Sequence, residues 1–140
     1  MNILFTLCGR AGSKGVRGKN ARDFRGAPLV WYSMAGIQLY IERYKQPEDS
    51  IEIVLNTDSE DLIKLVKRVS SMDVAVLRRA ENLAGDCIPK VAVILDCLVR
   101  AEEHNGKRYD MVVDLDITSP LRTVEDIAHT IAVSYTHLTL

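Results

Sequence analysis

The feature that most constrains the fold is a regular alternation of short apolar segments with longer segments of helical periodicity. Four runs are short and apolar enough to be strands buried on both faces of a parallel sheet: residues 2–8, 52–56, 74–77 and 111–115. The segments between them place apolar residues three and four positions apart, as amphipathic helices do. This alternation is typical of an α/β domain with helices packed on both faces of the sheet.

Three helices are predicted between the strands, and each has a recognisable start. Pro28 suits the first turn of a helix that extends to about residue 44. Ser59 is a good N-cap for a helix over residues 60–69, and Pro89 opens a third helix. These helices are long enough to cross from one parallel strand to the next.

The C-terminal segment follows a different pattern from the rest of the chain. A fourth helix begins over residues 124–133, but residues 134–140 lose the helical period and contain several β-branched or hydroxyl side chains. We therefore expect one domain over residues 1–133, followed by an unrelated or artefactual tail over residues 134–140.

Composition excludes several classes of protein. The chain has 140 residues and a net charge of −1, which is one domain in length and gives no electrostatic case for nucleic acid or an acidic membrane surface. No apolar stretch approaches the ~18 residues of a membrane span, and no secretory leader is recognisable. The three cysteines lack a Cys-x-x-Cys spacing, which favours free thiols and a cytoplasmic location.

A glycine-rich basic loop follows the first predicted strand directly. Four of the eight glycines lie at every third position of residues 9–18, and four cations alternate with them: Arg10, Lys14, Arg17 and Lys19. Glycine lets the backbone approach phosphate oxygens closely, and the cations add charge-assisted hydrogen bonds, so the loop suits a polyphosphate. A solvated basic turn is the alternative. Neither the P-loop spacing nor the Gly-x-Gly of the dinucleotide fingerprint is present.

Two acidic residues close the fourth predicted strand. Asp114 and Asp116 are two positions apart, so strand geometry places them on one face, near the edge where the glycine loop opens. Paired carboxylates there can hold Mg²⁺ together with phosphate oxygens. Alternatively, Asp116 with Thr118 caps the turn before the next helix. For Asp114 a metal or supporting role is favoured, because a carboxylate within a buried strand requires a partner.

The glycine loop resembles the signature of the acylneuraminate cytidylyltransferases, in Arg10-Ala11-Gly12-Ser13-Lys14-Gly15 and Gly18-Lys19-Asn20. Three further motifs of that family follow in order: Asn56-Thr57-Asp58 after the second strand, Arg79-x-x-x-Leu83-Ala84-x-Asp86 followed by Pro89-Lys90, and Thr118-Ser119-Pro120-Leu121-Arg122. Four ordered motifs are far more specific than any single one.

This resemblance implies a three-layer α/β/α, Rossmann-like nucleotidyltransferase domain with a mostly parallel sheet, incomplete at the C-terminus because family members extend further. The reaction implied is transfer of a cytidylyl group from CTP to a nonulosonic (sialic-acid-like) sugar acid, with release of pyrophosphate and with Mg²⁺ as cofactor. A homodimer is implied for the full-length protein. We expect the chain ending at residue 140 to be catalytically incompetent, since further metal ligands and much of the sugar pocket lie in the additional portion.

The resemblance also implies a role for each matching residue. The nucleotide would be bound by Arg10, Ala11, Gly12, Ser13, Lys19, Asn20 and Arg79. Lys19 and Asp116 would be catalytic, and Lys19 would steady the departing pyrophosphate. The sugar acid would be bound by Asp116, Thr118 and Arg122, and the metal by Asp114 and Asp116.

One departure from the family pattern affects the acceptor. Asp116 and Ile117 stand where the family usually has Gln and Pro, and that glutamine lies close to the sugar and the cytosine. The identity of the sugar acid is therefore open. Two other functions are alternatives to the cytidylyltransferase: a nucleotide-binding module without turnover, and a nucleotidyltransferase for another sugar acid.

Overall fold

Strands and helices alternate in the computed structural model as they do in the sequence. The structure describes residues 1–12, 15, 18–85 and 87–138. In this part of the chain the elements, in order, are β1 (Asn2–Gly9), β2 (Asp23–Phe24), β3 (Ala27–Pro28), α1 (Leu29–Tyr44), β4 (Ser50–Thr57), α2 (Glu60–Lys67), β5 (Val74–Arg78), α3 (Lys90–Asn105), β6 (Met111–Asp114) and α4 (Val124–Leu138). Short 3₁₀ turns occur at Lys19–Ala21 and Glu81–Leu83.

The main sheet has four parallel strands in the order β5-β4-β1-β6. All four strands predicted from apolar runs are present, with ends that differ by two residues or fewer. One prediction was wrong: β5 is not buried on both faces, because it lies at an edge of the described sheet and its burial alternates along the strand. The small antiparallel pair of β2 and β3 was not predicted, since two-residue strands have no measurable period.

Helices cover both faces of the sheet, which confirms the three-layer prediction. On one face, Ile3 and Phe5 of β1 belong to a core to which α1, α2 and α4 contribute. On the other face, Leu4 packs in a smaller core with Cys97 and Ala101 of α3. Consecutive β1 side chains point to opposite faces, so this strand is buried on both sides.

The helix starts agree with the sequence prediction, but one helix end does not. Pro28 and Pro89 are the N-cap residues of α1 and α3, and the Ser59 hydroxyl accepts a hydrogen bond from the backbone N–H of Leu62 at 3.2 Å. The prediction that helical structure ends near residue 133 was wrong, because α4 continues to Leu138. Hydroxyl and β-branched side chains have only slightly lower helix propensities, so they do not by themselves end a helix.

The strand order places the carboxyl ends of β1, β4 and β6 side by side, which is where ligands bind in open α/β sheets. The glycine loop follows β1, the Asn56-Thr57-Asp58 segment ends β4, and the Asp114 to Asp116 segment ends β6. Among the residues described, no helix combines the length and the apolar character needed to cross a membrane.

Candidate functional site

A cavity of about 340 Å³ opens at these strand ends. Six residues predicted to form the site line it: Arg10, Lys19, Asn20, Arg79, Asp116 and Thr118. Three of these carry permanent positive charge and only one is acidic. The cavity is therefore suited to a ligand with several negative charges.

Two hydrogen bonds hold the described part of the glycine loop in place. The backbone N–H of Ala11 donates to Asp58 Oδ1 at 2.7 Å, and Asn20 Nδ2 donates to the backbone oxygen of Arg10 at 3.2 Å. Asp58 belongs to a recognised motif, but its role as an anchor of this loop was not predicted. Because the Ala11 N–H already has a partner, its contact with a nucleotide stays a prediction, as does that of Gly12. Ser13 lies outside the described residues.

Gly9 marks the point where the loop passes closest to the core. A Cβ atom there would lie 2.9 Å from Leu62 Cδ2, 3.1 Å from Ile117 Cδ1 and 3.2 Å from Asn20 Nδ2. A side chain at this position would force these neighbouring side chains to shift. Glycine at this position therefore allows α2 and the Asn20 amide to approach the end of β1.

Arg79 follows β5, lines the cavity and is held by the end of β4. Its Nε donates to Asn56 Oδ1 at 2.8 Å, and its backbone N–H donates to the Thr57 oxygen at 3.0 Å. Asn56 was recognised as part of a motif but was given no role. The structure makes it the side chain that orients Arg79.

Asp114 has a partner on each carboxylate oxygen. Thr6 Oγ1 donates to Oδ1 at 2.7 Å, and Lys90 Nζ lies 2.7 Å from Oδ2. Lys90 Nζ is also 4.0 Å from Asp116 Oδ1 and lines the cavity. Neither Thr6 nor Lys90 was assigned to the site, although a threonine within an apolar strand and the recognised Pro89-Lys90 pair were available signals.

Asp116 caps the turn after β6 through Thr118, as the capping alternative predicts, and it also lines the cavity. Its Oδ1 accepts hydrogen bonds from the Thr118 backbone N–H at 3.2 Å and the Thr118 hydroxyl at 2.9 Å. Burial raises the pKa of Asp116, but these hydrogen bonds and the charges of Lys90 and Arg122 outweigh it, so the net pKa lies below the ordinary 3.8. The carboxylate is therefore ionised at neutral pH.

Arg122 connects this turn to α1. Its Nη2 donates to the Asp116 backbone oxygen at 2.5 Å and its Nη1 donates to Ser33 Oγ at 3.3 Å. Burial lowers the pKa of Arg122, and the nearby Asp116 and Asp114 charges oppose that effect. Binding of a substrate by Arg122 stays a prediction, and the contacts observed are structural ones.

Among the described residues, the end of β6 offers two carboxylates to a divalent metal ion, and Lys90 already pairs with both. Within the described ranges, no three His, Cys, Asp or Glu side chains are grouped in a way that could hold a metal. Both oxygens of Asp114 have partners, so a metal bound there would have to displace Lys90. The prediction that Asp114 and Asp116 together bind Mg²⁺ therefore competes with an ion pair that already neutralises them.

The cysteines carry no disulfide, as predicted. Cys87 is exposed, Cys97 is buried, and half-buried Cys8 lines the cavity. Contact with the Cys97 thiol and burial raise the pKa of Cys8, so its thiol is protonated at neutral pH. Cys8 is therefore a poor candidate for a nucleophile.

Comparison with known families decides what kind of protein has this site. The cytidylyltransferase family model matches residues 7–134, which is most of the chain and includes every site residue predicted from the sequence. The chain belongs to the cytidylyltransferase family. This confirms the resemblance found in the four sequence motifs.

Two bacterial relatives are identical to this chain at about a third of the aligned positions. It is 35% identical over 125 residues to post-translational flagellin modification protein B of Campylobacter coli, covering 89% of this chain and 49% of that protein. It is 34% identical over 118 residues to CMP-N,N'-diacetyllegionaminic acid synthase of Campylobacter jejuni, covering 84% of this chain and 46% of that protein. The chain thus spans about half the length of the curated relatives it matches.

A solved structure confirms the fold of this chain. CMP:2-keto-3-deoxy-manno-octonic acid synthetase, determined in complex with CTP, aligns with a TM-score of 0.65 and 15% identity. The alignment covers 100% of this chain and 50% of that one. At this identity the comparison supports the nucleotidyltransferase fold alone, which agrees with the predicted fold class.

Proposed function

We propose that the cavity binds CTP and that the complete protein transfers its cytidylyl group to a nonulosonic sugar acid. One observation carries the proposal: Arg10 and Lys19 of the glycine loop and Arg79 after β5 line the same cavity. A triphosphate needs this concentration of positive charge, and family membership supports cytidine as the base. The relatives named as synthases of CMP-sugar acids support a sugar-acid acceptor.

In the proposed reaction, a hydroxyl oxygen of the sugar acid attacks the α-phosphorus of CTP. A new P–O bond forms while the bond between the α-phosphorus and the α,β-bridging oxygen breaks, and pyrophosphate leaves with that oxygen and the bond's electron pair. Arg10 and Lys19 stabilise charge on the phosphates, and Asp116 accepts the hydroxyl proton. Catalysis of this kind depends on alignment and charge stabilisation more than on covalent help from the protein.

The remaining parts of the proposal rest on the family. Mg²⁺ would be held mainly by phosphate oxygens of CTP and by water, which is a common mode of magnesium binding, and it would supply positive charge to the triphosphate. The complete protein acts as a homodimer in the cytoplasm, without nucleic acid or membrane as a partner. Because the chain spans about half of its relatives, turnover is proposed for the complete protein and nucleotide binding for the chain itself.

Calorimetric titration with CTP tests the binding step. Lys19→Ala and Arg10→Ala should each weaken CTP binding roughly 10- to 150-fold, since each removes a charge-assisted hydrogen bond of about 1.5–3 kcal/mol. Lys64→Ala, at an exposed position on α2, is the matched control and should leave affinity unchanged. Unchanged CTP affinity in both loop variants would contradict the proposal that the glycine loop binds CTP.

Pyrophosphate release tests the transfer step. The complete protein should release pyrophosphate from CTP only when a nonulosonic acid is present, and residues 1–140 alone should not. Comparable turnover by residues 1–140 would contradict the expected incompetence of the short chain. CTP binding without release by the complete protein would favour the nucleotide-binding module.

A further inference from the structure

The ammonium group of Lys90 lies next to two carboxylates, those of Asp114 and Asp116. Lys90 is the first residue of α3, directly after the N-cap Pro89, and its side chain is 43% exposed at the cavity. Its Nζ lies 2.7 Å from Asp114 Oδ2 and 4.0 Å from Asp116 Oδ1. The same ammonium therefore faces both acidic residues at the end of β6.

Asp114 depends on this lysine more than Asp116 does. The Asp114 side chain is only 18% exposed, whereas that of Asp116 is 53% exposed. Thr6 satisfies one Asp114 oxygen by a hydrogen bond but supplies no charge. Without Lys90, the mostly buried Asp114 carboxylate would lose the ammonium group on its Oδ2 and stand beside a second carboxylate, with Arg122 as a remaining nearby cation, which is unfavourable.

We propose that Lys90 is the resident cation of the Asp114–Asp116 pair, takes the place of a protein-bound divalent metal ion there, and positions Asp116 at the cavity. Lysine supplies one fixed charge from the start of a helix, so the carboxylates are held before any substrate enters. A divalent ion that accompanies a nucleotide would then not be coordinated by Asp114 and Asp116 as well. The inference rests on the proposed function in treating the cavity as a nucleotide site. Its test uses no nucleotide, so the inference and the proposed function can fail independently of each other.

Titration of the nucleotide-free chain with Mn²⁺, followed by electron paramagnetic resonance, provides the test. In the wild type, Lys90 excludes the metal and the pair should contribute no site. Lys90→Met removes the charge and keeps much of the side-chain volume, so two carboxylates become available for one divalent ion. Its Mn²⁺ affinity should rise at least about tenfold, since a unit charge within ~4 Å interacts strongly near a protein surface.

Three further variants isolate the carboxylate pair. Lys90→Arg keeps the cation and should not gain the Mn²⁺ site. The double variant Lys90→Met with Asp114→Asn should lose it again. Lys107→Met is the matched control, because Lys107 pairs with a single carboxylate, Glu52, and should gain no Mn²⁺ site.

Two results would overturn the inference. Equal Mn²⁺ affinity in the wild type and in folded Lys90→Met would show that Lys90 does not exclude a metal. A wild-type Mn²⁺ affinity that falls in Asp114→Asn would show that the pair already binds one. This second arm does not require Lys90→Met to fold, and unchanged affinity in Asp114→Asn supports the proposal by itself.

Discussion

Arg79 is oriented by a side chain that solvent cannot reach. Its Nε donates to Oδ1 of Asn56 at 2.8 Å, and Asn56 is 0% exposed at the end of β4. Asn56 Nδ2 is buried without a hydrogen-bond partner among the described residues. Leaving a buried N–H group unpaired is unfavourable. The presence of Asn56 at this position is therefore best explained by its Oδ1, which accepts the hydrogen bond from Arg79.

Asn56→Ala should weaken CTP binding about tenfold, because Arg79 loses a charge-assisted hydrogen bond that orients it. Calorimetric titration measures this effect. The variant also loses stability, so Val54→Ala is the control: Val54 is 3% exposed on the same strand and face, and its truncation costs on the order of 2 kcal/mol without touching Arg79. Equal CTP affinities in the two variants would contradict an orienting role for Asn56.

Gly9→Ala should destabilise the fold by roughly 1–3 kcal/mol, because the added methyl group meets Leu62 and Ile117 in a packed core. It should also weaken CTP binding, since Asn20 must move to make room. Urea unfolding and calorimetry measure the two effects. Gly12→Ala is the matched control for stability in the same loop, because no atom of the described residues lies within 4 Å of the added Cβ and its φ is not positive. A Gly9 variant as stable as the Gly12 variant would refute the close approach.

The depressed pKa of Asp116 predicts a defined loss of stability in acid. A carboxylate with a lowered folded pKa contributes stability above its unfolded value, near 3.8, and loses it as pH falls through the folded pKa. The contribution should be less than about 1 kcal/mol, because the side chain is half exposed. Urea unfolding of wild type and Asp116→Asn should therefore differ more at pH 6 than at pH 2.5. If the difference in unfolding free energy between the two proteins does not change with pH, the charge of Asp116 is not its source.

Arg122→Lys should destabilise the chain by roughly 1–3 kcal/mol while CTP affinity stays unchanged. A lysine cannot donate to both Ser33 and the Asp116 carbonyl in the fork geometry of a guanidinium. Urea unfolding and CTP titration separate the two properties. Full stability combined with loss of activity toward the sugar acid would instead support the substrate-binding prediction for Arg122.

The sequence by itself determined the architecture and the general position of the site. Apolar runs of strand length and helical periodicities are local properties, so the four main strands, the helix starts at Ser59 and Pro89, and the α/β class could be predicted without tertiary information. The glycine loop and the residues at the end of β6 were predicted because ligand sites in such folds lie at the carboxyl ends of strands. Residues of both segments line one cavity, and its role as a ligand site stays a prediction.

Only the tertiary structure decided which side chains contact one another within that site. Lys90 meets Asp114, Asn56 meets Arg79, and Asp58 meets the Ala11 N–H because β4, β1 and β6 are neighbours, and that strand order is not encoded in any local period. The edge position of β5 has the same origin. Pairing between charges distant in sequence depends on their separation in space, so only the folded chain reveals that Lys90 lies beside the carboxylates of Asp114 and Asp116.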